Sequence, residues 1–198
     1  MSAVFAALMV ASPLWLVTRA TGVVAFLLLT TAFGLGLVVS RRDVASRWWP
    51  RFASQQLHRN ITLLALLMLI VHVVTTLLDS YVHVGWWAWI IPGVSGYLPW
   101  AVALGTAGFD LIVVLVVTSL MRNRMSGRHW RVIHGAAYVA WPLAFLHFLL
   151  TGTDAAYGGW GTFLAGACLM VLGLAAGLRW LIPDPRERPV RSLTGPSR

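Results

Sequence analysis

The chain contains no lysine: its 15 basic residues are all arginine, set against 6 acidic residues, for a formal charge of +9. Charged residues make up only 11% of the sequence, well below the roughly 25% usual for a soluble domain. There is one cysteine, Cys168, inside an apolar run, which excludes a disulfide framework and a thiolate metal cluster. The chain also carries no Cys/His metal motif, no nucleophile triad, no P-loop and no Gly-rich strand-turn-helix fingerprint for a dinucleotide. The cationic excess does not point to nucleic acid. The arginines cluster in short loops between apolar runs, which is a signal of membrane topology rather than a binding patch.

What the sequence has in quantity is apolar length. Hydrophobic residues are 59% of the total and the mean hydropathy is +0.77, the composition of an integral membrane protein. The expected fold is all-α, a bundle of about five transmembrane helices, multi-pass in the cell membrane and in contact with its lipid. Residues 1–18 are apolar but lack a positively charged start, which argues against a cleaved signal peptide, and Pro13 and Arg19 interrupt them. They read as a lead-in at the interface, or the remnant of an extra helix. The spans are expected at Ala20–Val39, His58–Leu78, Ala101–Met121, Trp130–Leu150 and Trp160–Ile182. The linker after span one adds Arg41, Arg42, Arg47 and Arg51, with Trp48 and Trp49 suited to headgroup level. Between spans two and three lies a stretch without arginine but with Trp86, Trp87, Trp89 and Trp100; its Pro and Gly content predicts an irregular segment along the interface. Residues 183–198 are Pro- and Arg-rich and are expected to be a disordered basic tail. Arginines follow spans one, three and five, and none follows two and four. By the positive-inside rule the N-terminus is outside and the C-terminus cytoplasmic.

Four of the six histidines lie on two of these spans. His58 and His72 are 14 residues apart on the second, and His134 and His147 are 13 apart on the fourth. Both helices run from the inner to the outer side, so His58 matches His134 in depth and His72 matches His147. Each helix separates its two rings by roughly 20 Å at about 1.5 Å rise per residue. Two facing neutral imidazoles are what a six-coordinate haem iron needs, so two stacked pairs would make a two-haem wire across the bilayer. One detail resists. Fourteen steps of about 100° bring His58 and His72 to one face, whereas thirteen leave His147 well off the face of His134. Pro142 lies between the latter two and is expected to bend or rewind the segment.

These two helices, with Trp141-Pro142 before His147 and the helix order around them, resemble the ferric reductase-like transmembrane domain family. That family takes in ferric reductases, NADPH-oxidase membrane domains and the haem subunit of periplasmic methionine sulfoxide reductase systems. The resemblance covers about residues 14–182, within a haem-binding domain taken as 1–182. It implies b-type haem held by His58 with His134 and by His72 with His147. It also implies electrons passing from the cytoplasmic side to an acceptor at the outer face. The pattern departs from the family in a missing or vestigial first helix. The chain also ends 16 residues after Ile182 without the flavin and nicotinamide domain that many members carry. The donor is therefore expected to be a cytoplasmic flavoprotein reductase or a quinol.

Two axial histidines leave iron no open position, which favours outer-sphere electron transfer over oxygen activation. Haem propionates need cationic partners, and Arg51, Arg59 and Arg131 on the inner side and Arg19 on the outer side are candidates, against the plainer reading of topology-setting arginines. Asp110, mid-span, is either hydrogen-bonded in place or part of a proton path. His83, beside Tyr81, is placed to touch a loosely bound quinone or flavin, or a metal; His129 sits in an arginine-rich loop, and both also read as interfacial residues. The competing class is a small non-redox transporter or structural membrane protein with buried histidines. Within the redox class, the competitor to a ferric reductase is a dedicated haem subunit of the methionine sulfoxide reductase type.

Overall fold

The computed structural model describes residues 12–39, 51–80, 82–152, 155 and 159–181; the residue 40–50 linker, Tyr81, Ile182 and the basic tail lie outside the described residues. The described residues form helices α1 (Pro13–Val39), α2 (Arg51–Leu78), α3 (Pro99–Leu120), α4 (Gly127–His134), α5 (Ala137–Thr151) and α6 (Trp160–Leu181), with 3-10 turns at Trp86–Trp89 and Arg122–Arg124. Taking α4 and α5 as one rod, five helical segments are long and apolar enough to cross a membrane. The chain is a multi-pass, all-helical membrane protein, as its composition requires.

The first span begins earlier than expected. Pro13 does not interrupt it but starts it: proline suits the first helical turn, and Ser12 before it caps the helix by accepting from the Trp15 backbone N–H at 3.0 Å. Arg19, a charge within this span, lies over the Trp15 ring at 4.3 Å. The second span likewise starts at Arg51 rather than His58, and the third starts at Pro99, again a proline in the first turn.

The fourth span is broken, and not where proline predicted. Pro142 sits inside the continuous helix α5, whereas the break falls at Gly135–Ala136. There the backbone N–H groups of Ala136, Tyr138 and Val139 bond to carbonyls three residues back at 2.9–3.0 Å, and that of Gly135 is shared between the Arg131 and Val132 carbonyls at 3.0 and 3.1 Å. Such 3-10 bonding turns about 120° and rises about 2.0 Å per residue, against about 100° and 1.5 Å in an α-helix. Three to four overwound steps carry thirteen residues through about 1360–1380° and 21–21.5 Å, close to the roughly 1400° and 21 Å of fourteen α-helical steps. The overwound turn thus gives the 13-residue spacing the reach and rotation of the 14-residue one.

α1 packs along α2, α3 along α5, and α6 against α1. The core between them is aromatic and small-residue: Phe26, Trp141, Cys168 and Leu172 form one buried cluster, extended by Phe33, Phe145 and Phe148, and Ile112, Leu115, Val116 and Ala140 form another. The buried Trp141 Nε1–H donates to Thr30 Oγ1 at 3.0 Å, tying α5 to α1 at mid-span. The two histidine helices α2 and α5, by contrast, are not closely packed on each other and face across a gap.

Candidate metal centres: two histidine pairs

Across that gap the histidines meet in the expected pairs. The ring centres of His58 and His134 are 6.3 Å apart with planes at 69°, and those of His72 and His147 are 6.3 Å apart at 81°. Two imidazoles sharing one metal through bonds of about 2 Å, with about 1.1 Å from each nitrogen to its ring centre, would be at most about 6.2 Å apart, close to the separation seen. Each pair offers two protein ligands, a number suited to an iron whose remaining ligands come with a macrocycle.

The rings are also held with one nitrogen committed. His58 Nδ1 lies 2.9 Å from the Ala32 carbonyl, His72 Nδ1 2.8 Å from that of Thr18, and His147 Nδ1 2.8 Å from that of Ala101. A carbonyl only accepts, so Nδ1 carries the proton and Nε2 keeps a lone pair for a metal. Such a partner fixes both tautomer and ring orientation in metal sites. His134 Nδ1 is instead 3.5 Å from Ser119 Oγ, a long contact. Its ring is stacked on Trp130 at 4.7 Å and 18°, and the Arg122 guanidinium caps the indole at 4.5 Å.

Each of the three carbonyls is followed four residues later by a glycine beneath the same ring. A Cβ on Gly22 would meet His72 Nδ1 at 2.9 Å, one on Gly105 would meet His147 Nδ1 at 2.6 Å, and one on Gly36 would meet His58 Cε1 at 3.6 Å. At Gly22 and Gly105 a side chain would displace the ring from its carbonyl, and glycine supplies the opening; at Gly36 the distance is ordinary contact. Sequence reasoning missed this arrangement. The signal was present, because Gly22 and Gly36 are 14 residues apart on the helix antiparallel to His58 and His72.

The two pairs sit at opposite ends of the bundle. His58 and His134 lie at the end bearing Arg122, Arg124, Arg128 and Arg131, here the arginine end; His72 and His147 lie at the end closed by residues 82–98, the tryptophan end. A cavity surrounds the second pair, lined among others by Gly22, Phe26, Thr76, Gly105, Phe109 and Phe148. Of the four arginines proposed for propionates, Arg19 lines this cavity, Arg59 and Arg131 are exposed near their histidines, and the Arg51 side chain lies outside the described residues. Asp79 was overlooked in the sequence; it is buried, lines the cavity and accepts from Ser12 Oγ at 3.0 Å. Asp110 is half-buried in α3 and is not among the cavity residues. His83 is exposed on the loop, and His129 is occupied with Ser126, the cap of α4, at 2.7 Å.

The glycine openings are filled by the imidazoles themselves and bear on ring orientation only. One other observation bears on whether a haem suits these residues. At the arginine end, Trp130 Nε1 is buried with no hydrogen-bond partner, a donor placed beside His134 and Arg122 where an acidic group would satisfy it. Comparison of the chain with family models, with curated proteins and with solved structures finds no match in any of the three.

Proposed function

We propose that the chain is a haem-binding membrane protein that carries electrons across the bilayer, of the ferric reductase-like kind. The observation that carries this reading is the repeated pair geometry. Two histidine pairs at opposite ends of the bundle have the same 6.3 Å ring separation, and three of the four rings have Nδ1 tied to a backbone carbonyl. Two b-type haems held there would supply one-electron redox chemistry at two depths. The protein's own contribution is to present four neutral Nε2 atoms, to keep the rings oriented, and to exclude water with apolar helix faces. On this reading Arg19 and Thr76, which line the cavity around His72, and Arg122 and Trp130 Nε1 beside His134 would receive propionates, with the exposed Arg59 and Arg131 as further cationic candidates at the arginine end. Phe33, Trp141, Phe26 and Phe148 fill the space between the two levels with stacked rings at centre distances of 4.7–6.0 Å.

The arginine end is assigned to the cytoplasm and the tryptophan end to the outer face by the positive-inside rule. On this reading a cytoplasmic flavoprotein or a quinol supplies electrons and an acceptor at the outer face receives them, either ferric iron or a dedicated partner protein. The test is a visible absorption spectrum of the purified protein with a haem-to-protein ratio. A sharp Soret band, an α band on reduction and about two haems per chain are expected. A colourless protein reconstituted with haem and still spectrally blank would return the chain to the class of transporters or structural membrane proteins.

A further inference from the structure

The loop that closes the tryptophan end has two faces. Outward it presents Trp86 and Trp87 at 68% and 71% exposure, with Ile90 and Ile91 also exposed, and Trp100 at the start of α3 beside it is 84% exposed. Inward, Val84 and Ala88 are buried, and Val84, Ala88, Trp89 and Tyr97 line the cavity around His72 and His147. Between residues 82 and 100 no side chain carries a full charge, and His83 is the single titratable group besides Tyr97. An uncharged, tryptophan-rich surface between the ends of two membrane spans belongs in the headgroup layer, where indole rings partition.

The segment Trp86–Pro92 is also bounded by two glycines. Gly85 and Gly93 flank it at φ 88° and φ 90°, in the left-handed region that glycine tolerates, and neither has a neighbour within 4 Å of where a Cβ would stand. Its fastening is a side-chain hydrogen bond: the buried Thr106 hydroxyl on α3 has two carbonyls in reach, Ala88 of this segment at 2.5 Å and Val102 of its own helix at 3.1 Å, and the shorter contact is to Ala88. We propose that residues 85–93 form a lid seated in the lipid interface and latched by Thr106, so that the tryptophan-end cavity exchanges its contents with the membrane rather than with water. The ligand class this admits is lipid-soluble, not a hydrated ion. The inference concerns access to the cavity and holds whatever the histidines carry.

The experiment uses the full chain in lipid nanodiscs, with Cys168→Ala as background and Leu77→Cys as a reporter, because Leu77 lines the cavity beneath the lid. Slow labelling by lipid-soluble N-ethylmaleimide is expected, several-fold faster with Thr106→Val and slow again with Thr106→Ser. A membrane-impermeant sulfonated maleimide should stay slow in all three. Impermeant labelling as fast as the lipid-soluble reaction, or a rate insensitive to Thr106→Val, would overturn the proposal. Should Thr106→Val fail to fold, the chain without that change decides: brominated phospholipids should quench its tryptophan emission, and the double change Trp86→Phe, Trp87→Phe should remove much of that quenching. No such loss places the lid in water. The haem spectrum of the same samples separates failure of the lid from failure of the haem assignment.

Discussion

His147 lies so close over Gly105 that a single methyl group there would meet its Nδ1 and Cε1 at 2.6 Å, while Nδ1 holds the Ala101 carbonyl one turn away. The backbone of α3 thereby becomes the seat of a side chain on α5. Replacing Gly105 with alanine should push the ring off its carbonyl and release its tautomer. On the haem reading, Gly105→Ala should lower haem content and shift the spectrum of the tryptophan-end site, leaving the arginine-end site as it was. Gly36→Ala, where the contact is 3.6 Å, should be tolerated. Equal effects from the two changes would show that the glycines do not act through the rings.

The pairing itself makes a quantitative prediction. His72→Ala or His147→Ala should each reduce about two haems per chain to about one, and combining them should remove no more than either alone. His58→Ala or His134→Ala should do the same for the other site. Pyridine haemochrome assay against protein concentration reads the ratio directly; loss of both haems from either outer-pair variant would argue against two separable sites.

Trp141 contributes through packing as well as through its bond. Trp141→Phe keeps a ring beside Phe26 and Phe33 but loses the 3.0 Å hydrogen bond to Thr30, whose own hydroxyl still donates to the Phe26 carbonyl. The expected cost is roughly 1 kcal/mol. Trp141→Ala, which empties part of the core, should cost about 3–5 kcal/mol. Thermal unfolding in detergent, followed by circular dichroism, should rank the two in that order.

Topology can be checked without reference to any cofactor. A reporter inserted between Arg122 and Arg124 should be active only in the cytoplasm, and one inserted beside Gly93 only outside. The reverse pattern would exchange the inner and outer labels of the two histidine pairs while leaving their geometry untouched.

The helices and the histidine partners were legible because both follow from one-dimensional patterns. Apolar length marks a span, and matched separations on two spans that run the same way bring His58 to His134 and His72 to His147. What the sequence concealed depends on contact between distant residues. Pro13 interrupts an apolar run on paper and begins a helix in space, because proline suits the first helical turn. The glycines at 22, 36 and 105 look like generic small residues until a ring is placed against them. Trp130 and Arg122 belong to different elements and become one stack only when α4 folds back toward α3. Pro142 is the conspicuous residue from which a bend or rewinding is expected, whereas the tighter winding falls at Gly135–Ala136, where the Gly135, Ala136, Tyr138 and Val139 N–H groups all keep carbonyl partners.

That break bears on how such a chain can change over evolutionary time. An inserted or deleted residue in a straight helix rotates everything beyond it by about 100° and would throw one ring of a pair out of register. A short overwound segment absorbs the difference in both angle and length. The count of residues between His134 and His147 is therefore free to drift by one while their positions stay fixed, and a search for relatives by strict histidine spacing would pass over chains whose paired imidazoles superimpose.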